Sequence, residues 1–285
     1  MRYRGNANFV FSSVRAIVLA ALVITSSATK LSAGFITFES AGANAAAITP
    51  TRDAFRVAVG GGSVAGANGD FGGLRREINW DGVPVGSSDP NPFAGDFFNV
   101  TSPRGVVFST PGTGFLVSAN AGGATPALFG FPTDFQTFSS QKLFTAVNSS
   151  ITDVNFFIPG TTTAATTTAF GLIFVDVETA DAAKIEFFDA SSTLIYTRTA
   201  LVAGNQGLSF VGAVASAGEQ ISRVRITSGV NTIVSNGVLG NQTDDIVVMD
   251  DFLYATPTAV PEPGSLSLIG VGISALLWAR RRNYV

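Results

Sequence analysis

From residue 34 to about residue 256, apolar and polar positions alternate over short runs, with a period of two rather than 3.6. In Ile221-Ser222-Arg223-Val224-Arg225-Ile226-Thr227 the isoleucines and the valine share one face, and the polar residues share the other. That is the pattern of a half-buried antiparallel strand. Lys184-Ile185-Glu186-Phe187 repeats it on a smaller scale. Ala169-Phe170-Gly171-Leu172-Ile173-Phe174-Val175 is apolar throughout, which predicts a central strand covered on both faces. Phe35-Ile36-Thr37-Phe38-Glu39, Leu208-Ser209-Phe210-Val211 and Asp245-Ile246-Val247-Val248-Met249 extend the series, with Gly, Pro, Asn and Thr clusters between runs. Helical periodicity is nearly absent. The pattern predicts an all-β body, an antiparallel β-sandwich that is jelly-roll-like. The Thr-rich stretch 160–168 is the best candidate for an internal linker, but Thr also favours strands. One sandwich with a loop-rich first half is favoured over two domains.

The two ends follow a different pattern. Residues 1–33 read as an export signal: Arg2, Arg4 and Arg15, an apolar run from Ala16 to Ile24, then small residues with cleavage sites after Ala28 or Ala33. The run is short for a permanent span, and the alternative is an uncleaved N-terminal anchor. Beyond residue 256 comes a Pro-Glu-Pro linker, 257–263, whose Pro261 and Pro263 exclude a helix. Residues 264–279 are uncharged and mostly apolar, and predict a short transmembrane helix. Trp278 at the interface and snorkelling arginines offset its short length. Residues 280–285 are a basic tail whose Arg280, Arg281 and Arg282 favour the cytoplasmic side.

Composition narrows the chemistry. The chain has no His and no Cys. This excludes disulfides, thiol nucleophiles, Ser-His-Asp triads and ordinary zinc sites. Residues 34–259 hold 10 basic and 19 acidic side chains, a net of −9. An acidic body argues against nucleic acid as a partner and suits divalent cations. Twenty-two of the 24 Phe lie in the body, where they supply large apolar area with no polar atom to satisfy.

Pro261-Glu262-Pro263, the apolar segment and Arg280-Arg281-Arg282, in that order, resemble the PEP-CTERM sorting signal of exported bacterial proteins. The resemblance covers the last 26 residues. It implies recognition by an exosortase and processing near Pro261-Glu262-Pro263, by removal of the tail or its exchange for a surface carrier, which places the protein at the cell surface or in an exopolysaccharide matrix. A plain tail anchor is the alternative. The body is similar to a recurrent β-sandwich segment of exported bacterial proteins at Phe170-Gly171-Leu172-Ile173-Phe174-Val175-Asp176, Ile185-Glu186-Phe187-Phe188-Asp189, Ser209-Phe210-Val211-Gly212 and Met249-Asp250-Asp251-Phe252. Arg75-Arg76-Glu77-Ile78-Asn79-Trp80-Asp81-Gly82-Val83-Pro84 also resembles a signature of such proteins. Neither implies an activity.

Three clusters are candidates for chemistry. Asp244, Asp245, Asp250 and Asp251 lie in or beside the last strand, and strict alternation puts Asp250 and Asp251 on opposite apolar faces. A buried carboxylate needs a cation or several donors. A structural Ca²⁺ held by Glu39 on the first strand and Asp251 on the last is one expectation. Backbone donors at Asp251 are the other. Asp176, Glu178 and Asp181 lack the spacing of an EF-hand loop and read as a solvated loop. In Asn79-Trp80-Asp81-Gly82, Trp80 is expected either to stack on a sugar while Asn79 and Asp81 read hydroxyls, or to be a core residue beside a turn. The leading expectation is a non-enzymatic, exported structural or adhesive protein of the envelope or matrix. A calcium-stabilised carbohydrate-binding module comes second, and a carboxylate-based polysaccharide hydrolase third.

Overall fold

The structure is a computed structural model that describes residues 34–123, 126–234, 238–239 and 244–260. The export signal, Pro261-Glu262-Pro263, the apolar segment 264–279 and Arg280-Arg281-Arg282 lie outside the described residues. The strands are β1 (Phe35–Gly42), β2 (Asp70–Phe71), β3 (Arg75–Ile78), β4 (Val106–Ser109), β5 (Gly114–Val117), β6 (Phe144–Val147), β7 (Ile151–Phe156), β8 (Ala165–Thr166) and β9 (Ala169–Val175). Then follow β10 (Ala183–Phe188), β11 (Leu194–Thr199), β12 (Leu208–Ala215), β13 (Arg223–Ser228), β14 (Ile233–Val234), β15 (Val238–Leu239), β16 (Val248–Ala255) and β17 (Thr258–Ala259). The α-helices among the described residues are α1 (Ala45–Val59) and the short α2 (Phe97–Val100). The body is mostly β, and nearly all pairings are antiparallel; the β6–β14 pair is parallel.

The larger sheet runs β1-β12-β9-β16-β6-β14-β15, with β3 also on β16 and β5 on β6. The smaller runs β11-β10-β13-β7-β4. The strands of both sheets bury a common core in a sandwich-like layout. The larger sheet contributes Phe144, Phe170, Leu172, Phe174, Phe252 and Tyr254; the smaller contributes Phe108, Val154, Phe156, Ile185, Phe187, Val224 and Ile226. A second core lies on the other face of the larger sheet, where Ala169, Ile173, Val175, Phe210 and Leu253 pack with Ile48 and Phe55 of α1. The continuous apolar run of β9 follows from this arrangement, because odd and even positions face different cores. The smaller sheet has one polar face, so β7, β10 and β13 alternate buried and half-buried positions. On that face Asp153 accepts hydrogen bonds from Arg223 at 2.8 Å and from Arg225 at 2.8 and 2.9 Å.

Two boundaries differ from the sequence pattern. The final long strand begins at Val248, so Asp245 stands just ahead of it. The Thr-rich stretch is part of the body: β8 pairs with β17, and Thr167 Oγ1 donates to the Ala255 carbonyl at 2.7 Å.

Helix α1 departs from the near absence of helical periodicity. Asn44 caps it through Oδ1, which accepts from Ala47 N at 3.3 Å, and Gly60 ends it at φ 91°. Pro50 and the β-branched residues lower helix propensity. Packing therefore decides the conformation: Ile48, Phe55 and Val59 form one apolar stripe at helical spacing. The helix sits on a glycine step, because Gly171 of β9 is directly opposite Gly212 of β12. A Cβ at Gly212 would stand 3.1 Å from two Phe55 ring carbons and 3.0 Å from Gly171 Cα.

Gly212→Ala is therefore expected to destabilise the protein by about 1–3 kcal/mol through overpacking. Adding Phe55→Leu should return part of that loss. Urea unfolding of the two variants checks this, and an unchanged midpoint for Gly212→Ala would exclude the close approach.

Candidate functional site: a buried aspartate pair beside a charged cleft

Strand β16 carries one extra residue. Met249 is opposite Phe174 and Phe252 is opposite Leu172, so three steps along β16 match two along β9. This is a β-bulge at Asp250-Asp251. Met249, Phe252 and Tyr254 consequently face the inter-sheet core, while Val248 and Leu253 face the helix side. Strict alternation across the bulge is the expectation the structure corrects. Both aspartates instead meet the segment Phe138-Ser139. Asp250 Oδ2 accepts from Phe138 N at 2.6 Å, and Oδ1 accepts from Ser139 Oγ at 3.2 Å. The same hydroxyl lies 2.7 Å from Asp251 Oδ1. Asp250 is fully buried and Asp251 nearly so. Burial, followed by the neighbouring Asp251 charge, pushes the Asp250 carboxyl well above the usual range. Burial raises Asp251 as well, against the pull of Ser139 and Arg52. Both shifts run toward the neutral form of the pair.

Asp251 lines a cleft of about 540 Å³ with Arg52 and Arg56 of α1, Glu77 of β3, Asn79 and Ser139. Glu77 organises its cations. It accepts from Arg56 Nε at 2.8 Å and Nη2 at 2.5 Å, and from Arg75 Nε at 2.6 Å. Glu77 outweighs the burial of Arg56 and raises its pKa; burial lowers that of Arg52. Arg52 Nε lies 2.7 Å from Asp53 Oδ1, and its guanidinium sits over the Phe138 ring at 4.8 Å. Arg75 also donates to the carbonyls of Gly60 and Gly62, closing the loop after α1. Arg56 is engaged by Glu77 and Asp53, Arg52 pairs with Asp53, and Arg104, also on the cleft, donates to the Glu77 carbonyl; beside them the cleft offers a hydroxylated ligand Asn79, Ser139 and carboxylate edges. Asp250 and Asp251 share a hydroxyl on one wall. Glycoside hydrolysis needs two carboxyls facing each other about 5 to 10 Å apart.

Trp80 is interior, 1% exposed. It stacks on Phe144 with ring centroids 4.0 Å apart and meets Phe252 edge-on at 5.2 Å. Its Nε1 donates to the Asp250 carbonyl at 2.9 Å. The sugar-stacking role is corrected on this ground: the ring is covered by core aromatics. Asn79 is exposed at the cleft, whereas Asp81 ties down a backbone turn by accepting from Gln141 N and Lys142 N. Glu39 and Asp251 do not come together. They lie on β1 and β16 with β12 and β9 between, three strand spacings or about 14 Å apart. Glu39 is engaged by Arg198, with Nε at 2.6 Å. The calcium pairing of Glu39 with Asp251 is therefore corrected too. The Asp244-to-Asp251 cluster also divides: Asp245 joins Asp176 and Glu178 at one end of the larger sheet, and Asp181 is outside that group. Ser139, Arg52 and Arg56 go unread in the sequence, and Glu77 is read only as part of the Arg75-to-Pro84 signature, because the four come from a loop, a helix and a short strand with no common motif.

Comparison with known proteins bears on the C-terminus. Residues 259–282 match the PEP-CTERM protein-sorting motif. The chain carries a PEP-CTERM sorting signal, which is the recognition signal for exosortases and marks exported, C-terminally sorted proteins of the cell envelope. No curated protein matches the chain. Among solved structures, the enzymatically active domain of tailspike protein 4 of bacteriophage CBA120 aligns at 12% identity with a TM-score of 0.23, over 57% of this chain and 20% of that one. The chain thus spans about a fifth of that structure, a likeness too slight to carry an activity across. Among the described residues no helix is long and apolar enough to cross a membrane.

The aspartate pair makes a testable contribution to stability. A carboxyl with a raised folded-state pKa stabilises the fold below its unfolded pKa, and that stability is lost as pH rises through the folded pKa. Asp250→Asn keeps an oxygen for Phe138 N and removes the titration. The wild type minus Asp250→Asn difference in unfolding free energy is expected to fall as pH rises above about 4, by at most about 1.4 kcal/mol per pH unit. Denaturant unfolding between pH 4 and 8 measures it, and a difference flat across that range would refute the raised pKa of Asp250.

Proposed function

We propose that this is a non-enzymatic protein of the bacterial cell envelope or exopolysaccharide matrix, exported, held by its C-terminal segment, and released or transferred by an exosortase. The PEP-CTERM motif at residues 259–282 carries this reading. The position of the motif supports it: the last described strand, β17, pairs with β8 and ends at Ala259, directly before Pro261-Glu262-Pro263. Cleavage at that motif would spare every strand pairing of the body. On this reading residues 1–33 direct export. Residues 264–279 hold the protein in the membrane until processing, with Arg280, Arg281 and Arg282 on the cytoplasmic side. The two-sheet body then serves a structural or adhesive role outside the cell, jelly-roll-like in architecture.

The charged cleft favours a second reading, recognition of a hydroxylated polymer such as exopolysaccharide. Asn79 and Ser139 line it beside Asp251 and Glu77. Trp80 has no part in it.

The sorting reading is tested in an exosortase-bearing bacterium by intact-mass analysis of the mature protein. The wild type is expected to lose the residues beyond the Pro-Glu-Pro motif and to leave the membrane fraction. Pro261→Ala combined with Pro263→Ala should retain the full tail and remain in membranes. An intact tail on the mature wild-type protein would sink the proposal. A glycan array probed with wild type and Asn79→Ala separates the two roles of the body: wild-type binding lost in the variant supports recognition, and silence supports the scaffold role.

A further inference from the structure

We propose that Asp176, Glu178 and Asp245 form a calcium-binding site at one end of the larger sheet, independent of the sorting signal and of the charged cleft. Asp176 directly follows β9, and Asp245 precedes β16; these strands pair antiparallel, with Val175 opposite Val248. The pairing brings the two segments together. One carboxylate oxygen from each of Asp176, Glu178 and Asp245 lies within 4.8 Å of the others. Asp134 and Asp244 stand on the wall of the adjoining cavity of about 350 Å³.

A cluster of acids alone would be a solvated surface. The decisive feature is Asp245, which is only 7% exposed. Its Oδ2 accepts from Thr179 N at 2.7 Å and Glu178 N at 3.2 Å. Its Oδ1 is buried and has no hydrogen-bond partner. A buried carboxylate oxygen left unpaired is costly, and a cation removes that cost. Asp176 is 6% exposed at φ 74°, and its Oδ1 accepts from Gln206 N, in the loop before β12, at 2.7 Å. Glu178 is exposed and leaves an entry route.

The electrostatics agree. The charged groups that act on Asp176, those of Glu178, Asp245 and Asp134, are all acidic. Glu77 and Asp153, by contrast, have guanidinium partners. An all-oxygen set of carboxylates on irregular loops suits calcium, which accepts 6–8 oxygens in flexible geometry; magnesium demands a tight octahedron. Three carboxylates, with waters completing the shell, would bind in the range of about 0.1–1 mM.

The test is calorimetric titration and thermal melting of the full chain, purified in mild detergent, stripped with chelator and titrated with CaCl₂ to about 10 mM. One calcium per chain is expected, with a melting temperature that rises with calcium. At ten times the Kd the folding equilibrium should shift about tenfold. Asp245→Asn keeps an oxygen for Thr179 and Glu178 but replaces the unpaired oxygen, so affinity should fall at least tenfold. Asp176→Asn removes a repelled charge. It should melt at or above the wild-type temperature without calcium and lose the calcium response, which decides the matter if Asp245→Asn fails to fold. Asp181→Asn should bind as wild type does. No heat and no melting shift in the wild type, or unchanged affinity in Asp176→Asn, would overturn the site. Equal affinity for magnesium would overturn the assignment to calcium.

Discussion

The extra residue at Asp250-Asp251 is the constraint on which the middle of this protein depends. Without it, strict alternation would turn one of two adjacent carboxylates into the aromatic core between the sheets, at a cost of several kcal/mol. With it, Met249 and Phe252 both face that core, and the carboxylates meet Phe138 N and Ser139 Oγ instead. The bulge also leaves the Asp250 carbonyl to accept from the indole of Trp80. A buried indole needs such a partner. Trp80 in turn stacks on Phe144 and touches Phe93, Phe98, Phe108 and Phe252. One irregularity thus joins a polar network to the centre of the aromatic core.

The treatment of charge elsewhere follows one rule. An acidic body has too few cations for its carboxylates, so pairing is selective. Asp153 lies opposite two arginines on the polar face of the smaller sheet, and they hold its pKa below the usual range against burial. Glu77 binds two arginines and through them fixes α1 to β3. Asp250 has backbone and hydroxyl donors only, and burial raises its pKa. Asp89 is buried with neither oxygen hydrogen-bonded and is raised by burial alone. Two arginines thus lower the pKa of Asp153, whereas Asp250 and Asp89, buried without them, are raised.

Much of this architecture was legible in the sequence, for a physical reason. Period-two alternation in β10 and β13 and the unbroken apolar run of β9 report directly on one-sided and two-sided burial. The signals that failed are those that depend on partners distant in sequence. Helix α1 carries Pro50 and β-branched residues, and its conformation rests on the glycine step beneath Phe55. The bulge in β16 has no signature beyond two adjacent aspartates, so alternation misassigned the faces around it. Trp80 beside Asn79 and Asp81 reads as a ligand platform or, more readily, as a core residue, and burial decides for the core. Glu39 and Asp251 sit on the first and last long strands, but two strands lie between them.

The address and the body are legible in different ways, because one is a linear motif and the other is assembled by folding. The sorting motif is contiguous along the chain, with Pro261, Glu262 and Pro263 in linear order, and so stands out in the sequence. The polar groups of the body are read only after folding. Ser139 meets Asp251, and Asp176 meets Asp245, through strand pairing rather than through spacing. The pairing of β17 with β8 places the boundary between the two kinds of information at Ala259, one residue before the Val260-Pro261 step. A chain built this way can exchange its address without altering its fold, and can vary the clefts of its fold without losing its address.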